Sequence, residues 1–125
     1  MIRLPWPSTQ EKGRASEDLA LHFLQSRGHH LVARNFRCRR GELDLITLEA
    51  ATLVFVEVRY RSHAGFGGAA LSVDPRKQAK LIQAARYFLH QHPEHQHRDC
   101  RFDIIAFDAR RQPQWIQHAF EVSDT

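Results

Sequence analysis

Cysteine is scarce in this chain: Cys38 and Cys100 stand alone, without the Cys-x-x-Cys spacing of a redox or zinc motif. A disulfide framework and a zinc finger are thereby set aside, and two reduced thiols fit a cytoplasmic protein. Long hydrophobic runs are missing as well. Nothing approaches the ~18 apolar residues of a membrane span, and Met1 to Pro7, interrupted by Pro5 and Pro7, holds no apolar stretch suited to a secretory signal. The expectation is a cytoplasmic chain with no membrane partner. There is also no internal repeat and no low-complexity tract.

What is present is a balanced composition, 42% hydrophobic and 26% charged, too apolar for a disordered chain. At 125 residues the expectation is one domain spanning 1–125, with a core over about 9–120, because two cores would each be too small to offset chain entropy. Eighteen Lys and Arg against fourteen Asp and Glu leave a charge of +4. That excess favours an anionic partner through counterion release, but it serves solubility equally well. Where the cations sit decides between the two.

Ser8-Thr9-Gln10-Glu11 has capping-box spacing, and Ala15, Leu19, Ala20, Phe23 and Leu24 recur with helical period up to Gly28. Glu17 falls at the edge of that apolar stripe, within reach of a site beside the core. Strands are expected over Leu31–Phe36, Glu42–Leu48 and Leu53–Arg61, with Gly41 as a turn signal after Arg37, Arg39 and Arg40. The segment from Ser62 to Val73, with Gly65, Gly67 and Gly68, reads as a mobile loop. Asp74-Pro75 supplies an N-cap and a first-turn proline for a second helix with the stripe Leu81, Ala84, Ala85, Phe88 and Leu89, stopped by Pro93. A fourth strand follows over Phe102–Phe107, and Trp115–Phe120 reads as an edge strand. The order helix, three strands, helix, one or two strands implies an α/β fold with a mixed sheet covered by helices.

Strands two and three are separated by Glu49 to Thr52 alone, which predicts an antiparallel hairpin. With Leu48 opposite Leu53, counting outward sets Asp44 opposite Glu57 and Glu42 opposite Arg59. Carboxylates on opposed residues lie close enough to destabilise a sheet. A shared proton, a basic side chain or a divalent cation would compensate. Oxygen ligands of this kind suit Mg²⁺ or Mn²⁺, and an acidic centre flanked by Arg59 and Arg61 is what phosphodiester hydrolysis needs. A structural ion pair is the competing reading, and it suits Glu42 with Arg59 better than it suits Asp44 with Glu57. Each of those two is embedded in an apolar run where lone carboxylates are rarely buried.

Gly41-Glu42-Leu43-Asp44-Leu45-Ile46, followed by Leu53-Val54-Phe55-Val56-Glu57-Val58-Arg59-Tyr60-Arg61, resembles the signature of the YraN-like family. That family belongs to the restriction-endonuclease-like superfamily and is similar to archaeal Holliday-junction resolvases. The resemblance runs from Gly13 to Asp108, taking in Gly13 to Glu17, Asn35 with Phe36, Lys77, and Arg101-Phe102-Asp103. It implies an αβββαβ core, Asp44 and Glu57 as metal carboxylates, the backbone carbonyl of Val58 as a further ligand, and Glu17 as a helix-borne acid acting directly or through water. The superfamily usually carries lysine two residues after the second acid; Arg59 stands there. Arginine keeps its proton, so Arg59 stabilises charge or orients water and does not serve as a general base.

The resulting expectation is a Mg²⁺- or Mn²⁺-dependent nuclease acting on DNA, with branched or structured DNA as substrate and a symmetric dimer as the form suited to it. The catalytic set would be Glu17, Asp44, Glu57 and Arg59, and Arg37, Arg39, Arg40, Arg61 and Lys77 would contact the phosphate backbone. For each of those cations a solvated surface position is the alternative. An inactive nucleic-acid-binding module on the same fold is the runner-up, motivated by Arg59, and a protein-docking domain using the edge strand is the third reading. His90, His92, His95 and His97 straddle Pro93 without metal-ligand spacing and read as a solvated connection. Asp103 either orders the site or bonds an arginine structurally, and Trp115 and Phe120 read as edge-strand packing.

Overall fold

The computed structural model describes residues 9–60 and 73–122, with side chains from Gly13 onward. The Ser8-to-Glu11 cap, Arg61 and the glycines Gly65, Gly67 and Gly68 lie outside the described residues or side chains. The element order is α1 (Thr9–Ser26), β1 (His29–Cys38), β2 (Gly41–Glu49), β3 (Thr52–Tyr60), α2 (Pro75–Gln91), a single 3₁₀ turn (Pro93–His95), β4 (Cys100–Phe107) and β5 (Pro113–Phe120). The five strands form one mixed sheet in the order β1-β2-β3-β4-β5. All neighbours are antiparallel except β3 and β4, whose parallel pairing requires the crossover that α2 provides.

A helix covers each face. Leu45, Val54, Val56, Ile105 and Phe107 pack under α1 against Ala20 and Leu24. Leu43, Ile46, Phe55, Phe102 and Ile104 pack under α2 against Leu81, Ala84, Ala85 and Phe88. Strand β3 is therefore buried on both faces, as its continuous apolar run requires. In α1 the buried line is Ser16, Ala20 and Leu24, one residue per turn; Ala15, expected in the stripe, is exposed. The helix gives way to β1 through Gly28 at φ 89, a left-handed conformation that glycine adopts without penalty. α2 begins as expected: the Asp74 carboxylate accepts from the Lys77 amide at 2.8 Å, and Pro75 holds the first position.

β1 runs longer than Leu31–Phe36 at both ends, because its outer residues pair with β2 from His29↔Glu49 to Cys38↔Gly41. The turn is Arg39-Arg40, so Gly41 is the first residue of β2 and no part of the turn. Its role is close approach: a Cβ built there would lie 2.8 Å from the Lys80 backbone carbonyl oxygen. The β1–β2 turn therefore sits directly on α2.

Of the four histidines around Pro93, His90 and His97 are exposed, as the solvated reading expects, while His92 and His95 are packed, contrary to it. His92 stacks on Phe88 at 4.1 Å between centroids, and buried His95 accepts at Nδ1 from Arg98 Nε at 2.9 Å. Asp103 is a structural acid, 1% exposed. It accepts from Arg101 Nε, Trp115 Nε1 and the His118 amide, each at 3.0 Å, and so ties β5 to β4. Trp115 packs edge-on against Phe23 and His29, and Phe120 stacks on Phe102, which is the packing role expected of both. No helix among the described residues is long and apolar enough to cross a membrane.

Candidate functional site

The β2–β3 ladder has the register read from the hairpin, from Glu49↔Thr52 through Leu48↔Leu53 to Leu45↔Val56. It stops one residue short of Asp44 and Glu57, and the reason lies in β1 and β2 together. Leu43 and Ile46 face α2 while Leu45 faces α1, so the alternation of β2 changes phase at Asp44. Across from it, between the pairs Arg34↔Leu45 and Phe36↔Leu43, Asn35 adopts φ 52. Asparagine tolerates that left-handed region better than most residues.

The phase change turns the Asp44 side chain toward β3, where its Oδ2 accepts from the Val58 amide at 2.8 Å. A carboxylate thus takes the place of a backbone carbonyl at the point where the strands part. Burial and the neighbouring Glu57 charge push the Asp44 carboxyl up to about 8; a hydrogen bond with Glu57 and the charge of Glu17 add to the rise, and the Val58 amide opposes it. At neutral pH the Asp44 carboxyl therefore keeps its proton.

Cations approach the pair on the α2 side. Glu57, whose side chain is 11% exposed, has Lys77 Nζ at 3.4 Å and Arg59 Nε at 3.9 Å from Oε2. Lys77 sits in the first turn of α2, so the Asp74 cap that starts the helix also aims this lysine at the acids. Glu17 approaches from α1, where its Oε1 is buried without a hydrogen-bond partner among the described residues, 3.6 Å from Arg34 Nη2.

Other expectations are placed differently. Glu42 does not face Arg59, because the β2–β3 ladder has ended; it lies across from Arg37 on β1 and pairs with it at 3.3 Å. Arg39 and Arg40 are exposed in the β1–β2 turn. They line a cleft of about 450 Å³ between that turn and α2 that also contains Lys77 and Lys80. Lys80 and, beyond it, Arg86 were not singled out from the sequence. Their three-residue steps from Lys77 along the polar side of α2 were the signal available.

The oxygen donors are of the kind a hard divalent cation takes: two neighbouring carboxylates, one of them protonated, and a third acid, Glu17, whose buried oxygen makes no hydrogen bond among the described residues beyond its ion pair with Arg34. Among the described residues no three His, Cys, Asp or Glu side chains converge as a cluster; Asp44 and Glu57, with a backbone oxygen such as that of Val58, are the groups that could hold such a cation.

Comparison with known proteins agrees with the resemblance at the level of the family. A UPF0102 protein of Pseudomonas putida strain GB-1 is 51% identical over 122 residues, covering 94% of this chain and 99% of the relative. A UPF0102 protein of Alcanivorax borkumensis is 50% identical over 117 residues, 90% of this chain and 94% of the relative. One from Aeromonas hydrophila is 53% identical over 116 residues, 92% of this chain and 88% of the relative. The family model described as "Uncharacterised protein family UPF0102" matches residues 16–107, a span that includes Glu17, Asp44, Glu57 and Lys77. The chain belongs to the UPF0102 family.

Proposed function

We propose that this chain is a divalent-metal-dependent nuclease with a restriction-endonuclease-like core, hydrolysing phosphodiester bonds in branched or otherwise structured DNA. The observation that carries the reading is the buried Asp44 carboxyl, held beside Glu57 by the Val58 amide at the break in the hairpin ladder. Burial next to a second acid disfavours the Asp44 charge and leaves its proton poised for exchange with a cation. The order of helix, three strands, helix and strand around a mixed sheet is consistent with that core.

Asp44, Glu57 and the Val58 carbonyl would hold Mg²⁺ or Mn²⁺, with Glu17 joining directly or through water, and a cation held there would supply positive charge at the phosphate and a more acidic water. Arg59 offsets negative charge growing on the phosphate and keeps its own proton. Lys77, an amine 3.4 Å from Glu57, is the neighbouring cationic group able to give up or take a proton. It supplies from α2 what Arg59 does not supply from β3.

The test combines calorimetric titration of Mg²⁺ or Mn²⁺ with incubation of the protein on linear, flapped and four-way DNA, beside an Asp44→Asn control. Saturable metal binding and cleavage, both lost in the control, are expected. Metal binding that persists in Asp44→Asn would refute the site. The presence of arginine at position 59 favours a second reading, a nucleic-acid-binding module without cleavage. Tight, salt-sensitive DNA binding with intact metal binding and no hydrolysis would select it.

A further inference from the structure

Beyond the acid pair, α2 and the β1–β2 turn enclose a continuous basic cleft. Its first part, about 450 Å³, is walled by Arg37, Arg39 and Arg40 from the hairpin and by Lys77 and Lys80 from the helix. Its second part, about 540 Å³, shares Arg39 and Arg40 and continues along α2 to Arg86 and Tyr87. Among the described residues six cations thus line the two parts against one acid, Glu42, which is already paired with Arg37. Lys77 belongs to both the cleft and the acid pair, so the cleft opens onto the candidate metal site.

The far end is aromatic. Tyr87 is 44% exposed, with its ring 6.0 Å from Phe36 and its hydroxyl accepting from Gln91 Nε2 at 2.9 Å. One edge of the ring is held by these contacts while the side chain stays open to solvent. The floor is closed, because the Gly41 and Lys80 backbones meet with no room for a Cβ.

We infer that this cleft is a track for a single-stranded polynucleotide, its phosphates lying along Arg39, Arg40, Lys80 and Arg86, one base stacking on Tyr87, and its far end reaching the acid pair past Lys77. Duplex readout inserts a convex element into a groove of the nucleic acid. Here the protein surface is the concave one, and a cationic channel ending in an aromatic platform is the combination that takes single strands. The inference rests on the nuclease reading and narrows its substrate to structures with an unpaired strand, such as a flap.

The test is fluorescence anisotropy of the full chain in EDTA, where no cleavage occurs, against oligothymidine, oligouridine, an abasic sugar-phosphate strand and a duplex of equal length. Oligothymidine is expected to bind more tightly than duplex, and the oligouridine arm separates DNA from RNA as the source of the strand. Tyr87→Ala should weaken oligothymidine binding about tenfold while leaving the abasic strand unaffected, and Tyr87→Phe should retain the affinity. Arg39→Ala with Arg40→Ala should flatten the salt dependence by roughly 1.4 in log–log slope. Far-UV circular dichroism and the urea midpoint of each variant confirm that it is folded. Duplex binding as tight as single-strand binding, or oligothymidine binding indifferent to both the Tyr87→Ala and the double arginine variants, would overturn the track. These outcomes are independent of metal binding and cleavage at Asp44, so either idea can fail alone.

Discussion

Asp44 is the residue on which the proposed chemistry turns, and its environment makes a prediction with a definite sign. Its folded value of about 8 stands above the ordinary 3.8, so the stability it contributes is complete below 3.8 and is lost as pH rises toward 8. Asp44→Asn keeps an oxygen for the Val58 amide and removes the buried acid. The metal-free variant should be more stable than the parent at pH 8 by roughly 1–3 kcal/mol, since the buried Asp44 charge beside Glu57 is disfavoured at about 1.4 kcal/mol per tenfold change in acidity, and should bind no Mg²⁺. Urea denaturation with and without metal measures both. In the parent, metal binding at pH 7 should release close to one proton, visible as a dependence of the calorimetric enthalpy on buffer ionisation heat. A second residue-scale prediction concerns Lys77. If it moves a proton, Lys77→Met and Lys77→Arg should both lower cleavage about 100-fold, the usual size of a general acid–base contribution. Recovery of activity by the arginine would show that only its charge matters.

Among the elements, the β1–β2 hairpin does most to shape the site. Its turn rests on α2 through Gly41, whose missing side chain lets the strand lie against the Lys80 carbonyl. Gly41→Ala must push backbone from backbone and should cost about 1–3 kcal/mol, the usual penalty of overpacking. A lowered urea midpoint with an unchanged slope would report it. The β2–β3 hairpin explains which parts of the site were legible in the sequence. The register of β2 with β3 follows from a short turn and apolar alternation, and it was read correctly as far as Leu45↔Val56. Extending it by counting placed Arg59 opposite Glu42, because a strand that changes phase at one residue looks in sequence like one that does not. The αL conformation of Asn35 and the Asp44-to-Val58 bond cause the departure, and neither has a signature in Leu43-Asp44-Leu45.

At the scale of the whole molecule, pH stability reports two buried groups of opposite sign. His29 lies under the α1 face with its Nδ1 2.8 Å from Thr47 Oγ1, and burial holds its pKa below the ordinary 6.5. Its contribution is therefore complete above 6.5 and lost as pH falls through the window below it. In the window just below 6.5 the two slopes oppose one another, so the loss of stability by the metal-free protein is steepest as pH rises from 6.5 toward 8. Mg²⁺ should lift the alkaline limb alone, since it replaces the Asp44 proton. Urea midpoints measured across pH 5 to 9 check this, and an alkaline limb that Mg²⁺ does not move would contradict the metal site. The sequence by itself determined what depends on neighbours along the chain: the element order, the Asp74 cap and Pro75 start of α2, the hairpin, and membership of a family recognised by local motifs. It also named the acids, because carboxylates inside apolar runs are conspicuous before any folding is considered. Tertiary structure alone decided which groups meet them. Lys77 reaches Glu57, Glu17 is held under Arg34, and Lys80 closes on Gly41, because two helices pack on opposite faces of one sheet and bring together residues far apart in the chain. Such distances are set by packing, which no local periodicity encodes.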